Sequence, residues 1–245
     1  MKSFSRLAMA CLICIFIFTP IAKCFSQGNG LLPRNTKWYQ NPLEVKPLQL
    51  STAPGIVWGL IAVASSVLFT SNDLQHSNAI RFYNETGGSY AYKQPYTNVF
   101  SNDIGAIRSF RKWFSAGIGI NTFHFTDKLN NTWTIGLRPF ARWYPLVTPK
   151  IKIYFEYGGG VSYSMNKFPQ KGSETDKDTL RTGTKFNFIS KYGAGVEIHL
   201  NNRVSLTAGL RHFHLSNGNM AGIDRNPSHD SNGYFIGCLI NPRIN

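Results

Sequence analysis

The sequence predicts an all-β protein, an antiparallel transmembrane β-barrel of about eight strands. Three observations lead there. Several stretches alternate apolar and polar residues without a break, which places one face in an apolar medium and the other in a polar one. These stretches are longer than the five or six residues usual for a soluble strand and reach the roughly 9–11 that a tilted strand needs to cross a bilayer. The connections alternate between short and long, as in bacterial outer-membrane barrels.

Along the chain, the first segment is an address. Met1 to Arg6 is a short basic start and Leu7 to Ile21 is almost wholly apolar, with Cys24 and Ser26 following. This is the pattern of a signal peptide over 1–26. It holds Cys11, Cys14 and Cys24, so Cys238 alone remains in the exported chain. One cysteine builds neither a disulfide framework nor a thiolate metal site. The whole chain carries a formal charge of +14, and removal of Lys2, Arg6 and Lys23 leaves +11. In an exported protein that balance points to an anionic surface such as a phosphorylated lipid rather than to nucleic acid.

Residues 27–75 read as a linker and N-terminal segment whose structure the sequence leaves open. Within them, Ile56 to Thr70 is apolar without a clear period. The barrel is expected over 76–245. Two strands are expected in 71–112, with turn-like pairs at Gly87-Gly88 and Asn102-Asp103.

The pattern sharpens from Trp113 onward. In 133–143 the odd positions are Trp133, Ile135, Leu137, Pro139, Ala141 and Trp143, against Arg138 and Arg142 on the even face. In 151–163 Ile151, Ile153, Phe155, Tyr157, Val161 and Tyr163 share the odd face, against Lys152 and Glu156. In 186–200 Phe186, Phe188, Tyr192, Val196, Ile198 and Leu200 oppose Lys191 and Glu197. The apolar sets should face lipid, with the charged sets pairing in a narrow lumen. Trp133, Trp143, Tyr144 and Tyr163 near the strand ends fit interfacial girdles. Short turns are expected at Pro145–Pro149 and Asn201-Asn202, and long loops at 126–131, at 166–183 and after Ser216.

The next strand, starting near Arg203, carries the chemistry. Leu206, Ala208 and Leu210 share a face with His212, His214 and Ser216, so an apolar wall turns polar at the long-loop rim. His214 and Ser216 are two apart and project the same way, within hydrogen-bond reach. A serine hydroxyl becomes a nucleophile when an imidazole takes its proton, and an acid then fixes the imidazole's tautomer. Asp224 lies mid-loop, whereas Asp230 begins the return strand that must pair beside His214. Asp230 is therefore the expected acid. Asn217, by its amide, and Gly218 and Asn219, by their backbone N–H groups, are candidate oxyanion donors. His212 reads as a wall or packing residue, Arg211 points into the lumen, and His76, His124, His199 and His229 show no metal-ligand spacing. No metal and no cofactor is expected.

The run Leu210-Arg211-His212-Phe213-His214-Leu215-Ser216-Asn217-Gly218-Asn219, followed by Arg225-Asn226-Pro227, resembles the signature of the lipid A 3-O-deacylase family. The middle stretches Phe155-Glu156-Tyr157-Gly158-Gly159-Gly160-Val161 and Lys191-Tyr192-Gly193-Ala194-Gly195-Val196 are similar to it too, and the likeness covers roughly residues 105–240. The resemblance implies an eight-stranded outer-membrane barrel that removes the acyl chain at position 3 of lipid A with a Ser-His-Glu triad. By motif, Ser216 would be the nucleophile, His214 the base and Asn217 an oxyanion donor. Two features depart from the family pattern: the acid is aspartate after a loop two residues longer, and Gly218-Asn219 replaces Ala-Gly. Lys167, Lys171, Lys177 and Arg181 read as solvated loop residues, some of which would hold the phosphates of a lipid A substrate. A non-catalytic structural or lipid-binding barrel and a phospholipase-like barrel are the competing expectations.

Overall fold

The computed structural model describes residues 80–91, 96–172 and 180–242. The expected signal peptide, the linker and the apolar run Ile56 to Thr70 lie outside the described residues. Eight antiparallel strands follow one another around a closed barrel: β1 (Ile80–Ala91), β2 (Asn98–Arg111), β3 (Phe114–Thr126), β4 (Asn131–Val147), β5 (Ile151–Gly172), β6 (Leu180–His199), β7 (Val204–Ser216) and β8 (His229–Ile240). The seam is β1 against β8, from Phe82 opposite Ile240 to Ala91 opposite Ser231. Closure pairs the backbone of every strand on both sides, which is what allows a sheet to sit in hydrocarbon.

The alternation is realised at most of the expected positions, though Ala141, Tyr157 and Tyr192 of the expected lipid-facing sets are buried. On β4, Trp133, Ile135 and Leu137 are exposed while Thr134, Arg138, Phe140 and Arg142 are buried. On β5 Ile153 and Phe155 face out, and on β6 Phe186 and Ile198 do. Together with Phe82, Ile104, Ile118, Leu206 and Ile236 they make an apolar outer belt. Substituting Ile153→Arg should therefore impair insertion, at about 2–4 kcal/mol if the site lies near the midplane. Lys152→Gln, one residue away and on the inner face, should be mild. Folded and unfolded fractions on heat-modifiability gels will show the contrast, and equal tolerance at both sites would overturn this orientation.

Four local expectations are corrected. Gly87-Gly88 is not a turn but lies inside β1, where a Cβ on Gly87 would come within 2.0 Å of Tyr234 O across the seam. Glycine is there for close strand approach. Asn102-Asp103 likewise lies inside β2, with Asp103 buried in the lumen and Asn102 donating to Asn84 Oδ1 at 2.7 Å outside. The long loop at 166–183 is mostly strand: β5 runs 22 residues to Gly172, and β6 begins at Leu180. The pairing slips between Tyr163 and Phe168, and Met165, Asn166 and Lys167 are all exposed there. That irregularity shifts the alternation, and Phe168 turns back inward. β4 also continues through Val147, so the turn to β5 is only 148–150.

Inside, the barrel is filled rather than open. Glu85, Asp103 and Glu156 are enclosed by Arg138, Arg142, Lys191 and Arg211. Arg142 bridges Glu85 at 2.6 Å and Glu156 at 2.8 Å, and Arg211 joins Glu85 to Asp103. Near the short-turn end Glu197 takes Arg81 and Lys152. Toward the long-loop end a cluster of Val99, Phe123, Phe125, Phe168, Ile189, Phe213 and Leu215 caps these charges. It backs the upper parts of β6 and β7 with packed side chains, a rigid wall for whatever those strands carry outward.

Candidate active site

On β7 and β8 the register decides which outward side chains meet. His214 lies opposite Asp230, and His212 opposite Asn232. Directly opposed residues on antiparallel strands bring their Cβ atoms to about 4.5–5.5 Å, so a carboxylate as short as aspartate reaches the imidazole. Asp230 Oδ1 lies 2.7 Å from His214 Nδ1. On the ring's other side, His214 Nε2 lies 3.1 Å from Ser216 Oγ. An ionised carboxylate only accepts hydrogen bonds, so the proton sits on Nδ1 and Nε2 is left to accept from the serine hydroxyl. Ser216, His214 and Asp230 thus form one connected line, as the spacing led one to expect. Asp224 lies apart, exposed on the 3-10 turn Ile223–Arg225, where its backbone oxygen accepts from Arg181 Nε.

The line sits at the long-loop end of the outer wall. Below it Leu206 and Leu210 face outward, and Phe188 stands opposite Ser216 on β6. Ser216 and Asp230 are nearly buried, with His214 a little more open. A hydroxyl, an imidazole and a carboxylate are thus held in a shallow, mostly dry place where the apolar belt ends. Short turns of such barrels face the periplasm and long loops the exterior, so this rim lies at the outer leaflet.

The loop after Ser216 is built on amides. The Asn217 N–H donates to Asn226 Oδ1 at 3.0 Å, and Asn217 Nδ2 donates to Arg225 O at 2.6 Å. Asn217 Oδ1 accepts the Asn219 N–H at 3.0 Å, and Asn226 Nδ2 donates to Asn219 Oδ1 at 2.7 Å. The Asn217 carboxamide and the Asn219 N–H are therefore engaged in shaping the loop. Gly218 and Asn219 both adopt positive φ, 63° and 64°. For Gly218 this conformation is unstrained, and its N–H has no hydrogen-bond partner among the described residues. Asn226 is the residue whose part the sequence did not show. It entered the sequence reading only as part of the run Arg225-Asn226-Pro227, and its pairing with Asn217 and Asn219 depends on how the loop folds back.

The remaining histidines have separate duties. His124 stacks on Trp133 at 4.6 Å, and His199 bonds Ser205 at 2.8 Å. His229 faces the lumen against Phe125, Phe168 and Phe213. Of the basic loop residues, Lys167 is exposed, Lys171 stands opposite Arg181 in the backbone register of β5 and β6, and Lys177 lies outside the described residues.

Fold and site together define an integral outer-membrane β-barrel bearing a Ser-His-Asp cluster on its lipid-facing wall. The model of the lipid A 3-O-deacylase (PagL) family matches residues 112–238, more than half the chain and every residue of that cluster. The protein belongs to this family and to the bacterial outer membrane. No curated protein matches the chain. Among solved structures it is similar to Neisserial surface protein A, with 11% identity, a TM-score of 0.48, and 66% of this chain and 97% of that one covered. It is similar to the outer membrane enzyme PagL, with 16% identity, a TM-score of 0.42 and coverage of 64% and 97%. It is also similar to the attachment invasion locus protein Ail of Yersinia pestis, with 9% identity, a TM-score of 0.41 and coverage of 66% and 98%. Likenesses at this level say nothing of chemistry, and the barrel stands on its own closure.

Proposed function

We propose that the protein is a serine esterase that hydrolyses an ester-linked acyl chain of lipid A, the one at position 3. The observation that carries this reading is His214 held between Asp230 and Ser216 on the lipid-facing wall, within the span matched by the family. The ester of a lipid A molecule lies at the boundary of headgroup and acyl chains, the depth at which this wall turns from leucines to the polar line.

In the reaction, Ser216 Oγ attacks the ester carbonyl as its proton passes to His214 Nε2. Asp230 stabilises the imidazolium through Nδ1. The Gly218 N–H, without a partner among the described residues, supplies a hydrogen bond to the oxyanion. The sugar hydroxyl leaves with the proton from Nε2 and the acyl group stays on Ser216. Water then gives a proton to His214, attacks the acyl-enzyme and frees the fatty acid, and the proton returns to Ser216. Asn217 Nδ2 gives one N–H to Arg225 O and keeps a second to join Gly218 at the oxyanion, while Asn217 Oδ1 holds the Asn219 N–H in place.

Mass spectrometry of lipid A from cells with and without the protein tests the activity, the expected product lacking one acyl chain at position 3. Loss of a fatty acid from glycerophospholipids instead would favour the phospholipase-like reading, and no change in either would favour a structural or lipid-binding barrel. The same assay tests the acid. Asp230→Asn should lower deacylation by about 10²- to 10⁴-fold, because an amide can present the wrong group to Nδ1 and cannot balance an imidazolium. Asp224→Asn should stay within about twofold of the unmodified protein. The reverse result would move the acid to Asp224.

A further inference from the structure

One ionisable side chain on the lipid-facing wall is left over by this mechanism. His212 lies on β7 one step below His214, and is only 1% exposed. That leaves it no surface for an acyl chain, so the expectation of a substrate wall does not hold. It is too far down the strand to serve Ser216, four residues away at about 3.3 Å per residue. Packing accounts for one face of the ring, which lies 4.7 Å from Tyr192. It does not account for the nitrogens. His212 Nδ1 is 2.8 Å from Asn232 Oδ1, and Nε2 is 3.7 Å from Asp230 Oδ1, the same oxygen that His214 holds.

Resting on the reading of Ser216, His214 and Asp230 as one unit, we infer that His212 is a positioning residue: a second imidazole that holds the Asp230 carboxylate against His214. The argument is electrostatic and geometric. A carboxylate on a lipid-facing wall, 6% exposed, is costly unless several donors surround it. An ionised carboxylate only accepts, so the nitrogen facing it has to carry hydrogen. With the Asn232 amide turned round, Nδ1 accepts from it and the neutral ring holds its hydrogen on Nε2, whereas with Oδ1 facing Nδ1 the ring carries hydrogen on both nitrogens. Asn232 fixes the ring from below, Tyr192 from the side, and His212 in turn fixes Asp230. The short acid needs this, because aspartate has one less methylene with which to find its partner. The polar line down the outer wall is therefore Ser216, His214, Asp230, His212 and Asn232, two residues longer than the triad.

The test uses the full-length barrel purified in detergent, with heat-modifiability as the check on folding. Two rates are read: release of fatty acid from lipid A, and labelling of Ser216 by a fluorophosphonate, which needs an activated serine but not lipid A. His212→Phe keeps a ring against Tyr192 and removes both nitrogens. It should lower kcat and the labelling rate by about 10- to 100-fold, with KM nearly unchanged. His212→Gln places an N–H near the position of Nε2 and should recover activity to within about threefold. In an Asp230→Asn background, His212→Phe should cost nothing more, since the group it positions has gone. Full activity of His212→Phe, equal losses for Phe and Gln, or losses that multiply in the double variant would each overturn the inference. Normal labelling without release from lipid A would fault the proposed substrate and leave this inference to be judged on labelling alone. A folded, unmodified protein whose Ser216 resists the probe would overturn both.

Discussion

Replacing Ser216 with alanine, or His214 with alanine, should each abolish deacylation of lipid A while leaving a folded barrel. The two losses should be alike, about 10⁶-fold where the residual rate can be measured, because removing either partner disables the same proton-coupled attack. The double variant should be no worse than either single one. Neither substitution threatens the fold. Ser216 is the last residue of β7 and His214 faces the outer wall, so neither belongs to the lumen network or to the aromatic cap. Kinetics on purified protein with lipid A, read beside heat-modifiability, separates lost chemistry from lost structure. If Ser216→Ala keeps full activity, no serine mechanism survives and the non-catalytic barrel becomes the better account. If His214→Ala keeps activity while Ser216→Ala does not, another base must reach Ser216.

That the outcome can be stated so sharply owes much to the periodicity of a strand. His214 and Ser216 share a face in any strand that contains both, so their contact was legible before the sheet was known. Asp230 was legible for a related reason, since a return strand must lie beside its predecessor and Asp230 opens that strand. The loop was not legible. Which of Asn217, Asn219 and Asn226 donates and which accepts depends on two positive φ angles and a chain reversal that no period announces. The fold shows the same division. β4, β5 and β6 declared themselves because lipid outside and charge inside impose a strict two-residue repeat. β1 and β2 were blurred because Asn84, Thr86 and Asn102 lie on their outer faces, where apolar residues would have kept the alternation clear. The outer halves of β5 and β6 were hidden by the slip after Tyr163, which exposes three residues in a row and looks like a loop. The lumen was half legible. Arg138, Arg142, Glu156, Lys191 and Glu197 were seen to point inward, but Glu85 and Asp103, which complete the network, sat in the blurred strands.

Arg142→Met should be the most damaging single change to the barrel's stability, lowering it by about 3–5 kcal/mol. The side chain is fully buried and holds two carboxylates, Glu85 through Nη2 at 2.6 Å and Glu156 through Nε at 2.8 Å. Its guanidinium also lies over the Tyr154 ring, 4.4 Å from the centroid. Methionine fills much of the space but leaves Glu85 and Glu156 with less positive charge in an interior closed to water from above by the aromatic cap. The size of the effect comes from two buried carboxylates that each lose a hydrogen-bonded partner, leaving Glu85 to Arg211 and Glu156 to Arg138, so the accompanying change matters. Adding Glu85→Gln to Arg142→Met should restore part of the stability by replacing a buried carboxylate that has lost one of its two cationic partners with a neutral amide. A strictly additive pair would instead mean that each residue contributes by packing alone. Urea titration of the barrel in vesicles measures both variants. The outer wall of β7 and β8 should keep its deacylating activity wherever the Arg142→Met barrel remains folded, since the lumen charges do not touch Ser216, His214 or Asp230. Loss of activity in a folded Arg142→Met barrel would show that the ion network sets the geometry of the wall, and not only its stability.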